Sequence, residues 1–303
     1  MPGSFMEELG QIGFTVDSRP GISDMEARQS IGEFTGLVFS TATMVDRNLI
    51  DAGTGLTFVA RAGSGMDNVD VEHVRSRGIE CISSAEGNRD SVAEHAVGML
   101  LSLLHRISNS NYEVNKGIWE REGNRGEELL GKTVSILGLG NTGSEFARRM
   151  GSFGVTLLAN DTDASVFRTG LARQADMPEI FLETDVLSLH LPLTRETEGL
   201  VNEGFLRSFR KSIYVINTAR GGMVHSDALV EALESGKVRG ACLDVLEVER
   251  ISPESQLELP WFRSLSRMPN VMMTPHIAGW SHQSKARIAG ILIAKIKAHA
   301  GRK

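Results

Sequence analysis

Residues 134–161, VSILGLGNTGSEFARRMGSFGVTLLAND, constrain the fold of this chain more than any other stretch. Residues 134–137 form a short apolar run suited to a strand buried on both faces, and Gly138, Gly140 and Gly143 follow at GxGxxG spacing. The first glycine permits a tight turn, the second lets backbone approach a pyrophosphate, and the third lets helix and strand pack closely. The helix that starts here, with Asn141 and Thr142 in its first turn, would aim its unpaired N–H groups at the anion. A second apolar run, 155–159, leads to Asp161, eighteen residues past Gly143. An acidic residue at roughly 20 residues' distance takes the adenosine ribose hydroxyls. Asp161 and Asp163 would also repel a 2′-phosphate, so NAD is expected rather than NADP. The competing reading is an ordinary strand, turn and helix with no ligand.

The motif begins almost halfway along a chain of 303 residues, 41% of them apolar, which is enough for two cores. A net charge of -6 and the lack of a basic run argue against nucleic acid or an anionic membrane as partner. No apolar stretch reaches the roughly 20 residues that span a bilayer, and MPGSFMEELG lacks a signal pattern, so a cytoplasmic protein with a small-molecule substrate is expected. Cys81 and Cys242 stand far apart and are expected to be reduced and buried. With no CxxC and no His/Cys clustering, no metal is expected.

Strands and helices alternate along the whole chain. Ahead of the motif, strands are expected at 36–40, 56–60 and 78–83, with helices at 45–52 and 69–77 between them. One long amphipathic helix is expected over 91–116, followed by a turn-rich stretch. After the motif, strands at 186–189, 213–217, 240–243 and 271–274 are each reached through a crossover, and a helix closes the chain at 281–300. The expected fold is α/β, with parallel doubly wound sheets whose ligands gather beyond the carboxyl ends of the strands. Three such ends carry chemistry. The first is followed by Arg220, a fork that can grip a carboxylate; the second by Asp244 and Glu249; the third by His276, which can trade a proton near neutral pH. Singly, each could be a solvated charge or a turn residue, and Glu249 could pair with Arg250 or Arg263.

GKTVSILGLGNTG, LSLHLPLTRETEGLVN, VINTARGGMVHSDALVEALESGKVRGACLDVLE and NVMMTPHIAGW together resemble the D-isomer-specific 2-hydroxyacid dehydrogenases. RAGSGMDNVD and AEGNRDSVAEHAVGML resemble more narrowly the D-3-phosphoglycerate dehydrogenases. The resemblance implies a flavodoxin-like substrate lobe (1–108 with 282–303) and an inserted Rossmann NAD domain (109–281), joined by two hinge helices, in a homodimer. It implies that His276 is the acid/base, that Glu249 orients it, and that Arg220 binds the substrate carboxylate and polarises the C2 oxygen. Backbone N–H groups around Ser64 and Gly65 would take the carboxylate's other side. Asp244 would hold the nicotinamide carboxamide, while His190, Leu191, Pro192, Thr218, Ala219, Ala278 and Gly279 would line the cofactor cleft. His95 and His105, on the long helix, are expected to tolerate replacement.

The implied reaction is hydride transfer between NAD(H) and C2 of a D-2-hydroxy acid, with 3-phosphoglycerate expected from the narrower match and an unphosphorylated acid such as glyoxylate or hydroxypyruvate as the alternative. A non-catalytic NAD(H)-sensing protein shares the fold and the triad. Ser40, Ala42 and Met44 stand where phosphoglycerate dehydrogenases carry phosphate-binding cations, which leaves Arg61, Arg89 and Arg121 as replacements. SFMEELGQIG reads as helix where the family opens with a strand, and the sequence ends at the hinge helix, before the position of the regulatory domain of longer relatives.

Overall fold

The computed structural model describes residues 3–40, 43–249 and 252–302; Ala42 and Arg250 lie outside the described residues. The chain divides into two compact units, one built from residues up to Arg89 together with those from Trp280, the other running Asp90–Gly279.

In the first unit three parallel strands, β1 (Gly36–Phe39), β2 (Phe58–Arg61) and β3 (Glu80–Ser83), pair in the order β1-β2-β3. Side chains alternate between faces along a strand. Phe58, Ala60 and Ile82 therefore pack with Phe5 and Leu9 of α1 (Gly3–Gln11) and with Leu292 and Ile296 of the last helix, α13 (His282–Ala300). Phe39 and Val59 fall in the opposite cluster, with Ile31 following α2 (Asp24–Ser30), Leu49 and Ile50 of α3 (Arg47–Ala52) and Val74 of α4 (Val71–Ser76). Both faces are covered, as a parallel sheet requires. Cys81, in β3, is half-buried.

The second unit holds seven parallel strands: β4 (Thr133–Leu137), β5 (Thr156–Asn160), β6 (Arg173–Gln174), β7 (Val186–Leu189), β8 (Ile213–Asn217), β9 (Val238–Leu243) and β10 (Val271–Met273). Their order is β10-β9-β8-β7-β4-β5-β6. Every residue of β4, β7 and β8 is buried. On one face Leu187, Leu189 and Val215 meet Ile180 of α8 (Met177–Glu183), Leu206 of α9 (Glu203–Ser208), Leu229 of α10 (Ser226–Glu234) and Leu265 of α12 (Pro260–Arg267), which follows α11 (Pro253–Glu258). On the other, Val134, Ile136 and Ile216 meet Phe146 and Met150 of α7 (Asn141–Met150) and Ala96 and Leu100 of α5 (Arg89–Leu104). The strand order runs outward in both directions from β4 and β7, so the switch point lies between them.

The single helix expected over 91–116 is two. α5 ends at Leu104, and α6 (Ile107–Asn115) begins after Arg106, which takes a left-handed φ of 52°. The returning chain docks at this break, where Glu127 N–H donates to the Leu104 carbonyl at 3.0 Å. The apolar stripe of α5 groups it with the second unit, so the compact units divide at Arg89/Asp90 where the sequence reading put the divide at 108/109. The two-residue β6 was not anticipated, because its exposed Arg173 and Gln174 carry no apolar signal. No described helix is long and apolar enough to cross a membrane.

Candidate active site

At the end of β4 the chain turns through Gly138 at φ 89°, where a Cβ would lie 2.8 Å from the His190 carbonyl oxygen. In the first turn of α7 a Cβ on Gly143 would lie 2.0 Å from the Gly138 carbonyl oxygen. Protein packing alone demands these two glycines. Gly140 differs: it is the N-cap of α7, and among the described residues a Cβ there would meet nothing within 4 Å and no side chain caps the helix. An uncapped helix start, with Asn141 and Thr142 next in line, thus opens on unfilled space at the switch point, an arrangement that suits a pyrophosphate. Asp161 is fixed beside this loop by accepting the N–H groups of Leu139 (2.7 Å) and Asp163 (2.9 Å).

His190, beyond β7, rests against the Phe146 ring with its Nε2 2.8 Å from Ser188 Oγ. Burial pushes its pKa down to about 3, so it is a neutral wall, followed by Leu191 and Pro192. Thr218 and Ala219 leave β8 buried, and among the described residues the Thr218 hydroxyl oxygen has no hydrogen-bond partner, the kind of polar atom a ligand satisfies. The cradle fits a dinucleotide.

β8, β9 and β10 are neighbours, so their exits share one rim. Asn217, fully buried at the end of β8, shapes the first exit: its Oδ1 accepts the Ala219 N–H (3.0 Å) and its Nδ2 donates to the Arg220 carbonyl (2.9 Å). The Arg220 guanidinium itself donates to the Ala219 carbonyl at 2.6 Å. Gly221 then lets the turn press against the next loop, because a Cβ there would lie 1.7 Å from the Leu246 carbonyl oxygen. In that loop the Leu246 N–H donates to Glu249 Oε1 (3.0 Å), and Glu249 Oε2 accepts from His276 Nδ1 (2.8 Å). Burial alone would push the Glu249 carboxyl up; the hydrogen bond and charge of His276, helped by the Leu246 N–H and the Arg220 charge, outweigh it and hold the carboxyl below its ordinary range. Glu249 is thus ionised at neutral pH and makes Nδ1 of His276 the donor. Nε2 of this partly exposed ring is the nitrogen left to trade a proton.

His276 stands in the left-handed region at φ 56°, a conformation costing a non-glycine residue about 1–2 kcal/mol. Asp244 offsets that cost. Its carbonyl accepts the His276 N–H, and its carboxylate accepts the N–H groups of Ile277 and Ala278, each at 2.8 Å, with the Thr274 hydroxyl at 2.5 Å. Its side chain is fully buried, and these bonds go to the loop that carries His276, Ala278 and Gly279. The sequence carries no periodic signal for Gly221 and Thr274, whose roles depend on loops meeting, or for Asn217, whose side chain folds its own turn.

Arg61, Ser64 and Gly65 belong to the first unit. Arg61 is 6% exposed, and its Nη1 donates to the Gly65 carbonyl, so it braces the loop that follows β2. Ser40 and Arg121 are exposed, and Met44 is half-exposed.

A family model described as "D-isomer specific 2-hydroxyacid dehydrogenase, NAD binding domain" matches residues 97–278, more than half of the chain. A hydroxypyruvate reductase of Thermotoga maritima is 36% identical over 276 residues, 89% of this chain and 86% of that protein. A D-3-phosphoglycerate dehydrogenase of Archaeoglobus fulgidus is 34% identical over 96% of this chain, which spans only 54% of that relative. Among solved structures, a D-lactate dehydrogenase from Aquifex aeolicus complexed with NAD and lactic acid aligns over 98% of this chain and 93% of its own, at 25% identity and a TM-score of 0.83. The chain belongs to the D-isomer-specific 2-hydroxyacid dehydrogenases, oxidoreductases whose cofactor is NAD.

Proposed function

We propose that this chain interconverts a short D-2-hydroxy acid and its 2-keto acid, with an unphosphorylated substrate of the hydroxypyruvate or glyoxylate type. The observation that carries the reading is the 2.8 Å pairing of His276 with Glu249 on the rim that also bears Arg220. Bound NADH supplies the hydride that reaches C2. Arg220 binds the carboxylate and draws electron density towards the C2 oxygen. His276 Nε2 delivers the proton to that oxygen, and Glu249 stabilises the ring while it is charged. In the oxidative direction the same nitrogen takes the hydroxyl proton.

Two observations support an unphosphorylated substrate. Ser40 and Met44 bring no charge where a phosphate would need cations, and Arg61 is buried on its own loop. Similarity to several phosphoglycerate dehydrogenases, 34% over 96% of the chain in one case, favours 3-phosphoglycerate as the second reading. Comparing kcat/KM for hydroxypyruvate, glyoxylate and phosphohydroxypyruvate with NADH separates them. A preference for the phosphorylated acid of more than tenfold would overturn the first reading, and no turnover of any 2-keto acid would leave a nucleotide-sensing protein instead.

The same reading includes a homodimer. α6 has no buried residue, and Ile107, Tyr112, Val114, Ile118 and Trp119 are exposed on it and just beyond it.

A further inference from the structure

One stripe of α5 is aimed at the loop that carries His276. Ser91, His95 and Met99 recur every four residues and so share a helix face. Ser91 Oγ donates to the Ala278 carbonyl at 2.7 Å, His95 Nε2 lies 3.0 Å from Thr274 Oγ1, and Met99 Sδ lies 3.8 Å from the same hydroxyl. The loop is thus held at both ends, on either side of His276.

The direction of the chain of bonds follows from donor counting. The Thr274 hydroxyl has one proton, and at 2.5 Å from Asp244 Oδ1 it gives that proton to the carboxylate, a far stronger acceptor than a thioether 3.8 Å away. Toward His95 the hydroxyl can then only accept, so His95 carries a proton on Nε2. The same nitrogen lies 3.6 Å from Asp244 Oδ1, the oxygen that also accepts the Ile277 N–H. His95 therefore orients the hydroxyl that helps hold Asp244, and Asp244 holds the N–H groups of His276, Ile277 and Ala278, around a histidine in a left-handed conformation.

We propose that His95 is a positioning residue of this enzyme, acting on His276 through Thr274 and Asp244, rather than a histidine that merely satisfies its own ring. The sequence reading expected it to tolerate replacement; the structure assigns it a place in the geometry of proton transfer. The proposal rests on the dehydrogenase reading above.

The test compares wild type with His95→Ala, His95→Gln, Thr274→Val and the double variant His95→Ala/Thr274→Val, measuring kcat, KM for the keto acid, NADH affinity and Tm. His95→Ala is expected to lower kcat about tenfold or more, in the range a displaced catalytic group produces, with NADH affinity within about twofold of wild type. His95→Gln is expected to restore most of the rate, because its amide nitrogen can donate where imidazole Nε2 does. Thr274→Val, which removes the hydroxyl at nearly constant shape, is expected to match the loss, and the double variant to be no worse than about twofold below it, since both break one chain of bonds. A His95→Ala enzyme with unchanged kcat, failure of His95→Gln to restore it, or losses that multiply in the double variant would each overturn the proposal. Should His95→Ala not fold, Thr274→Val and His95→Gln still decide it. Histidine ¹⁵N NMR gives a readout independent of turnover. An Nε2–H tautomer of His95 whose proton exchanges faster in Thr274→Val is expected, and an Nδ1–H tautomer overturns the proposal. Absence of turnover in the wild type would defeat the functional reading, and the tautomer would remain to judge this one.

Discussion

Adjacent glycines in the sequence TARGG make opposite demands, which allows the route from Arg220 to His276 to be tested by adding one methyl group. A Cβ on Gly221 would sit 1.7 Å from the Leu246 carbonyl oxygen, and contacts under 3.0 Å are essentially never seen, so the backbone must retreat by more than an ångström. Leu246 is also the residue whose N–H holds Glu249, which in turn holds the His276 ring. Overpacking of this kind costs about 1–3 kcal/mol, equivalent to a Tm loss of about 2–12 °C in a unit that runs Asp90–Gly279. A misplacement of about 1 Å in a catalytic group can cost about 100-fold in rate. Gly221→Ala is therefore expected to lower kcat about 100-fold, with a smaller loss of NADH affinity, because the glycine cradle lies across the switch point on β4 and only Thr218 and Ala219 of the cofactor cleft are near the added methyl. Gly222→Ala is the control. Its Cβ would meet Leu193 Cδ2 at an ordinary 3.4 Å, so activity within about twofold of wild type is expected. Steady-state kinetics, NADH titration and thermal melts on both variants check this. A Gly221→Ala enzyme within threefold of wild type, or equal losses in the two variants, would refute the argument that loop contact transmits position to His276.

Within the cofactor cradle, Gly140→Ala is expected to keep its Tm within about a degree and lose about tenfold or more in NADH affinity, whereas Gly143→Ala, 2.0 Å from backbone, should fold poorly; calorimetry and NADH titration distinguish them. His276→Asn is expected to lose about 100-fold or more in kcat at unchanged NADH affinity, in line with the worth of general acid/base catalysis, and a variant that kept most of its rate would discredit the assignment. Because the Glu249 carboxyl is held below its ordinary value of 4.5, its stabilising contribution is present above that value and is lost as pH falls through the lower folded one. Melts of Glu249→Gln should therefore fall below wild type at pH 7 and converge with it as the pH falls further below 4.5. Light scattering at micromolar concentration should return twice the 33.0 kDa chain mass, and a monomer would count against the exposed α6 segment as an interface.

The cradle was readable because its chemistry is local. Turn, helix start and acidic residue follow one another along a single strand–helix–strand unit, so spacing alone carries them, and the buried runs of β4, β7 and β8 announce a covered parallel sheet. The rim residues were readable as strand ends. What could not be read was contact between loops: Gly221 against Leu246 and Thr274 on Asp244. Each depends on two segments separated in sequence, and none leaves a periodic trace. The break at Arg106 was invisible for a related reason. Residues 105–116 keep helical spacing, but a helix ends where its apolar face runs out of partner, and Leu104 is the last residue of α5 in the core.

The two carboxylates flanking His276 divide one task, and their environments explain why both are needed. Asp244, fully buried, spends its oxygens on two backbone N–H groups and a hydroxyl, which sets where the loop is and keeps a β-substituted residue left-handed. Glu249, on a loop with part of its side chain open to water, spends one oxygen on the Leu246 N–H and the other on the ring, which sets how the imidazole is turned and which nitrogen is protonated. Position must be rigid, because proton transfer tolerates little displacement, so it is assigned to the group that solvent cannot reach. Charge must respond, because the ring is cationic for part of each cycle in the proposed reaction, so it is assigned to the group with room to relax. A single carboxylate cannot satisfy both conditions, since burying it deeply enough to fix the backbone would remove the solvation that lets it answer a changing charge.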